Sequence, residues 1–126
     1  MPHFILEYTD NLKEEGNIPE LLAKVNACLM ERGDLFPIGG IRSRAIELKD
    51  YRIADGKEDD AFVHGMLKIG MGRTKEEKQS VGYELFRIMK EHFAALYEKR
   101  YLALSFEIAE FTNGTYKQNN IHRRFK

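Results

Sequence analysis

The chain has 126 residues, and 20 Lys and Arg balance 20 Asp and Glu, which suits one domain with its own core and gives no global field to gather nucleic acid or acidic lipid. No apolar run approaches the ~18–20 residues that span a bilayer, and the start lacks the basic, long apolar and small-residue regions of a secretory leader, so a cytoplasmic location without membrane partners is expected. A lone Cys28 excludes an internal disulfide and a multi-cysteine metal site, and reads as core filler on a helix.

Phe4, Ile5 and Leu6 open the chain as a buried strand. Residues 9–16 are polar and carry the turn formers Asp10, Asn11 and Gly16, as a loop between strand and helix requires. Asn17, with Glu20 three residues on, predicts a capping box, and Pro19 is tolerated in the first turn. Ile18, Leu21, Leu22, Val25, Cys28 and Leu29 then recur at helical steps to about Arg32, with Gly33 as the expected stop. After Pro37 and the pair Gly39-Gly40, residues 41–48 read as a strand. Arg42 and Arg44 share a side with Ile46 and Leu48, pointing either to a cleft or, by snorkelling, to a sheet edge.

Residues 49–60 are charged and turn-rich, the joint between two halves at about 1–58 and 59–126. Residues 61–69 form a second strand-like run with Val63, Leu67 and Ile69 on one side. Thr74 and Glu77 predict another capping box, opening a long helix whose apolar stripe runs through Val81, Leu85, Ile88, Met89, His92 and Leu96. His92 there reads as packed and hydrogen-bonded. From Tyr101 the alternation is clean: Leu102, Leu104, Phe106 and Ile108 on one face, Ala103, Ser105 and Glu107 on the other. Asn113-Gly114 is a hairpin signal. Lys117, His122, Arg123, Arg124 and Lys126 make a basic tail without the regular aromatics that stack on bases, so no nucleic-acid partner is expected.

Strand, helix, strand thus occurs twice, and Ala45-Ile46-Glu47-Leu48 can be laid over Ser105-Phe106-Glu107-Ile108. Two right-handed β-α-β units predict an α/β (α+β) domain with one four-stranded mixed sheet and both helices on one face. The uncovered face holds enough apolar residues to want a cover, and copies of the chain would supply one in a symmetric oligomer.

Proline directly after Met1 has chemical meaning if Met1 is removed, since Pro2 then carries a secondary amine at the mouth of a core. Desolvation and nearby cations both disfavour the ammonium and move such an amine toward the range in which a general base works. His3, His64, His92 and His122 show no ligand spacing on a shared helix, so no metal is expected.

Gly72-Arg73-Thr74-Lys75-Glu76-Glu77-Lys78 is similar to a segment of short tautomerases such as 4-oxalocrotonate tautomerase. Met1 to Leu6, Gly40-Ile41-Arg42-Ser43-Arg44, Ala54-Asp55-Gly56, Ala61-Phe62-Val63-His64, Leu67-Lys68-Ile69-Gly70, His92-Phe93-Ala94-Ala95-Leu96, Leu102 to Ile108 and Lys117-Gln118-Asn119-Asn120 resemble the 5-carboxymethyl-2-hydroxymuconate delta-isomerases of the tautomerase superfamily. The resemblance spans nearly the whole chain. It implies a cofactor-independent isomerase of bacterial homoprotocatechuate degradation, a homotrimer with a barrel-like core, Pro2 as general base, and Arg42 and Arg73 as catalytic arginines that also bind the carboxylates of a di- or tricarboxylate substrate. Arg44 is the second-choice carboxylate partner. In the repeat overlay Ala61 stands for the second proline and Leu102 faces Arg42, leaving one set of site residues per chain. Two alternatives remain at this level: another superfamily reaction, such as an enol tautomerisation or dehalogenation, and a non-catalytic trimeric binding protein.

Overall fold

The computed structural model describes residues 1–126, with four strands, β1 (His3–Thr9), β2 (Arg42–Leu48), β3 (Ala61–Ile69) and β4 (Leu102–Glu110). Three helices accompany them: α1 (Ile18–Met30), α2 (Lys75–His92) and α3 (Ala94–Lys99). The strands form one sheet in the order β2-β1-β3-β4. β1 runs parallel to β2 and antiparallel to β3, and β3 runs parallel to β4. The expected mixed sheet of two β-α-β units is therefore present. No helix is long and apolar enough to cross a membrane.

Alternation decides which face each strand buries. Phe4 and Leu6 of β1 and Val63 and Leu67 of β3 are fully buried with Leu21, Val25 and Leu29 of α1 and Leu85 and Met89 of α2, in one cluster that places both helices on one side of the sheet. Each such aliphatic side chain contributes about 1.5–3 kcal/mol by leaving water. Gly65 allows a close approach where α2 crosses β3: a Cβ there would stand 3.1 Å from Met89 Sδ and 3.2 Å from Phe106, so those side chains would have to shift by a few tenths of an ångström. Cys28 packs half-buried against this core, and burial, with Glu84 next, raises its thiol pKa.

The capping box at α2 forms as expected: Glu77 N–H donates to Thr74 Oγ1 at 3.1 Å and Thr74 N–H to Glu77 Oε1 at 2.8 Å. The one expected at α1 does not. Asn17 sits in the left-handed region at φ 46°, outside the extended geometry that aims a cap at the first-turn amides, and its side-chain amide donates to the Glu20 carboxylate instead. Gly33 takes no left-handed conformation; α1 ends at Met30 with Glu31 as its cap, and turns carry the chain to Phe36. His92 is packed as expected, its Nε2–H donating to Gly16 O at 2.7 Å and its Nδ1 accepting from Lys24 at 3.1 Å. The α2 stripe continues past it, but a break at the buried Phe93 makes α3 a separate helix.

Two further expectations are corrected. The sequence overlay of the halves is one residue out, since it pairs Ile46, exposed on the open face, with Phe106, which packs against the core. A slip of one exchanges the two faces of a strand, so with Pro2 laid on Ala61 the ladders place Ala103 opposite Arg42 in place of Leu102. The Asn113-Gly114 hairpin does not form. No strand follows it, and the chain runs irregularly to a 3-10 turn at Ile121–Phe125 that packs on another at Ile38–Gly40.

Candidate active site

Strand directions converge on one end of the sheet. Parallel pairing sets the starts of β1 and β2 side by side, and Arg42 N–H donates to Pro2 O at 3.1 Å one step before the ladder begins. Antiparallel pairing brings the end of β3 to the same place, with His3 opposite Lys68, so the connection leading to Arg73 starts there. β4 ends there too, Ile69 pairing with Glu110, and the tail must leave from that edge.

Local chemistry then fixes Arg73. Gly72 at φ 115° takes a conformation that a side chain would strain, turning the chain from β3 into α2. Arg73 Nη1 donates to Gly70 O at 3.1 Å and Nη2 to Leu35 O at 2.7 Å, while its guanidinium carbon lies 4.9 Å from the centre of the Phe36 ring. Its buried Nε–H has no partner.

A cavity of about 380 Å³ opens at this end. Met1, Pro2, Pro37, Gly40 and Arg73 line it together with Lys117, Asn119 and His122 of the tail. No carboxylate lines it. Arg42, just outside the lining, donates from Nη1 to Gly40 O at 2.9 Å. None of Arg42, Arg73 and Lys117 forms an ion pair, so in a chain of zero net charge three cations stand together uncompensated. Burial, then Lys117, Arg73 and Arg42, lower the pKa of the chain's terminal amine, carried here by Met1. A partly buried amine among cations is suited to proton abstraction, and the cations to holding an anion.

Size alone does not pick out this site. Larger grooves of about 850 and 600 Å³ run between α2, α3 and the free edge of β4. They hold Lys and Glu side chains together and lie away from the terminal amine.

Of the residues singled out in the sequence, Pro2 and Arg73 share the cavity and Arg42 flanks it. Arg44 lies elsewhere, exposed on the uncovered face and donating to His3 Nδ1 at 3.1 Å. Lys117 was legible in the sequence as part of a basic tail and of a resemblance segment, and His122 as part of the tail, but no role at the site was read for either, and nothing in the sequence marks Pro37, Gly40 or Asn119 as lining a cavity.

Paired β-α-β units in one four-stranded mixed sheet are the architecture that the resemblance to tautomerases implies. A sequence model of the family described as 5-carboxymethyl-2-hydroxymuconate isomerase matches residues 2–125. A 5-carboxymethyl-2-hydroxymuconate Delta-isomerase of Escherichia coli is 52% identical over 127 residues, the match covering 100% of both chains. A crystal structure of a 5-carboxymethyl-2-hydroxymuconate isomerase from Deinococcus radiodurans R1 superposes with a TM-score of 0.95 at 54% identity, covering 99% of this chain and 94% of that one. A second structure, a 5-carboxymethyl-2-hydroxymuconate delta-isomerase, superposes with a TM-score of 0.91 at 25% identity, covering 100% and 93%. The chain belongs to the 5-carboxymethyl-2-hydroxymuconate isomerase family.

Proposed function

We propose that the chain isomerises 5-carboxymethyl-2-hydroxymuconate without a cofactor, using the nitrogen of Pro2, freed by removal of Met1, as the base. The 2-hydroxyl O–H bond breaks as its proton passes to the amine, and the oxygen becomes a carbonyl. The electron pair moves along the conjugated chain, and the same proton forms a C–H bond at a distant carbon, so no atom or electron is gained or lost. Arg42 and Arg73 hold carboxylates and stabilise the dienolate charge that develops between the two transfers, a task that suits planar guanidinium donors.

The observation that carries this reading is the joint placement of buried Pro2 and ion-pair-free Arg73 on one carboxylate-free cavity. Acid-base catalysis alone gives ~10²–10⁴ in rate, so the arginines are asked for the remainder through positioning and electrostatics. Arg44 does not line this cavity, and we assign it a substrate contact only if a second copy brings it to a neighbour's site. A homotrimer is part of the reading. The uncovered face carries the half-buried Ile5 and Met66 and the exposed Ile46, and β2 and β4 are unpaired edges, all of which self-association would cover.

Assay of the dienol with Met1-free protein in the presence of a chelator tests the activity. Conversion to the conjugated ketone supports it, and conversion of halogenated acids in its place would overturn it. Light scattering giving the mass of three chains supports the trimer; a monomer at assay concentration rules it out.

A further inference from the structure

The tail returns across the end of the sheet and is fastened there by fitted contacts. Asn119 Nδ2 donates to Gly39 O at 2.8 Å, and Asn119 Oδ1 accepts from Ile121 N–H at 2.8 Å, so one amide serves both segments. His122 fits Gly39 so closely that a Cβ there would lie 2.6 Å from its Nδ1 and 2.9 Å from its Cα and its backbone nitrogen. Only glycine gives the tail this bed, and the tail in turn sets Lys117 at the cavity.

Three cations without ion pairs therefore stand at a site whose proposed substrate has three carboxylates. They differ in mobility. Arg42 and Arg73 are held through their guanidinium groups by main-chain carbonyls, which suits the carboxylates of a planar conjugated chain. Lys117 is exposed, makes no ion pair and has a flexible four-carbon stem, which suits a carboxylate on a rotatable CH₂ arm. We propose that Lys117 is a specificity-determining residue that binds the side-arm carboxylate and makes the site select tricarboxylates over dicarboxylates. The choice of substrate in this inference rests on the isomerase reading above; the binding preference can be tested without it.

The test is calorimetric titration of the Met1-free protein with two unreactive probes, propane-1,2,3-tricarboxylate and glutarate. The native chain binds the tricarboxylate preferentially. K117M weakens tricarboxylate binding by roughly tenfold or more, a larger factor than for glutarate, the size expected for a charge-assisted hydrogen bond. K117R keeps most of the preference. G39A, checked for folding by its melting temperature, lowers the preference as K117M does, because it displaces the tail while leaving the lysine in the chain. A native protein without preference, or a K117M variant that keeps it, overturns the assignment. A folded G39A protein with full preference overturns the role of the tail's bed. Loss of the preference in K117M supports the assignment even if the native protein fails to turn over the muconate, a failure that would count against the isomerase reading alone.

Discussion

The backbone N–H of Arg42 donates to the carbonyl oxygen of Pro2 at 3.1 Å, so the same hydrogen-bond ladder that builds the sheet fixes the start of the chain beside the first of its cations. Pro2 is held by the sheet, and its position does not depend on a mobile terminus. Substituting Pro2 by Ala leaves the fold intact and, with Met1 removed, is expected to lower kcat at least about 10²-fold, within the range of acid-base catalysis. Unaltered kcat in a protein of confirmed mass would remove the proline from the chemistry.

Arg73→Lys keeps the charge but loses the planar fork that spans Gly70 O and Leu35 O and lies against Phe36. We expect kcat/KM to fall about 10²-fold. Equal losses in kcat and kcat/KM would mark an interaction made in the transition state, whereas a rise in KM alone would mark uniform binding.

Thr74→Ala removes half of the capping box directly after Arg73. The expected cost is about 1 kcal/mol in urea unfolding. A fall in kcat/KM should accompany it, because the start of α2 carries Arg73 with it. A stability loss with full activity would show that the two carbonyl contacts alone hold the arginine.

Burial first, then Arg44, Arg42, the terminal amine and Lys68, lower the pKa of His3. Just below its ordinary value of about 6.5 the unfolded chain binds more protons at this position than the folded chain does. Stability contributed here is thus present above that pH, is lost as pH falls through the folded pKa, and then levels off. Urea midpoints measured between pH 7.5 and 5 should show this slope, and His3→Gln should flatten it.

Local patterns carried most of the fold into the sequence, and long-range seating carried the rest out of it. β3 alternates buried and half-buried residues from Ala61 to Ile69, a period visible in the residues themselves, and the Thr74–Glu77 box spans a single turn. Asn113-Gly114 misled because a hairpin needs two strands, and Thr115, Tyr116, Lys117 and Gln118 offer no alternating apolar face to pair. The tail binds Gly39, eighty residues away along the chain, a contact without a local period. For the same reason Arg73 could be picked out by its resemblance to a motif, whereas the placing of Lys117, Asn119 and His122 at the cavity became visible only in three dimensions.

The pH dependence of kcat/KM reports the base in the free enzyme. The amine must be neutral to accept a proton, so activity rises with pH through its pKa. Burial and the charges of Lys117, Arg73 and Arg42 lower the pKa of the terminal amine at Met1, and we expect the same surroundings to lower that of a Pro2 amine once Met1 is removed. The acidic limb should therefore lie below the range of a free proline amine, and high salt, by screening the exposed Lys117, should move it upward.

The most direct measurement compares turnover of 5-carboxymethyl-2-hydroxymuconate by two preparations of known mass, one beginning at Pro2 and one retaining Met1. The Pro2 form is predicted to isomerise the dienol rapidly and the Met1 form, whose proline nitrogen is an amide, to be slower by at least about 10²-fold. Equal rates in the two preparations would contradict the account.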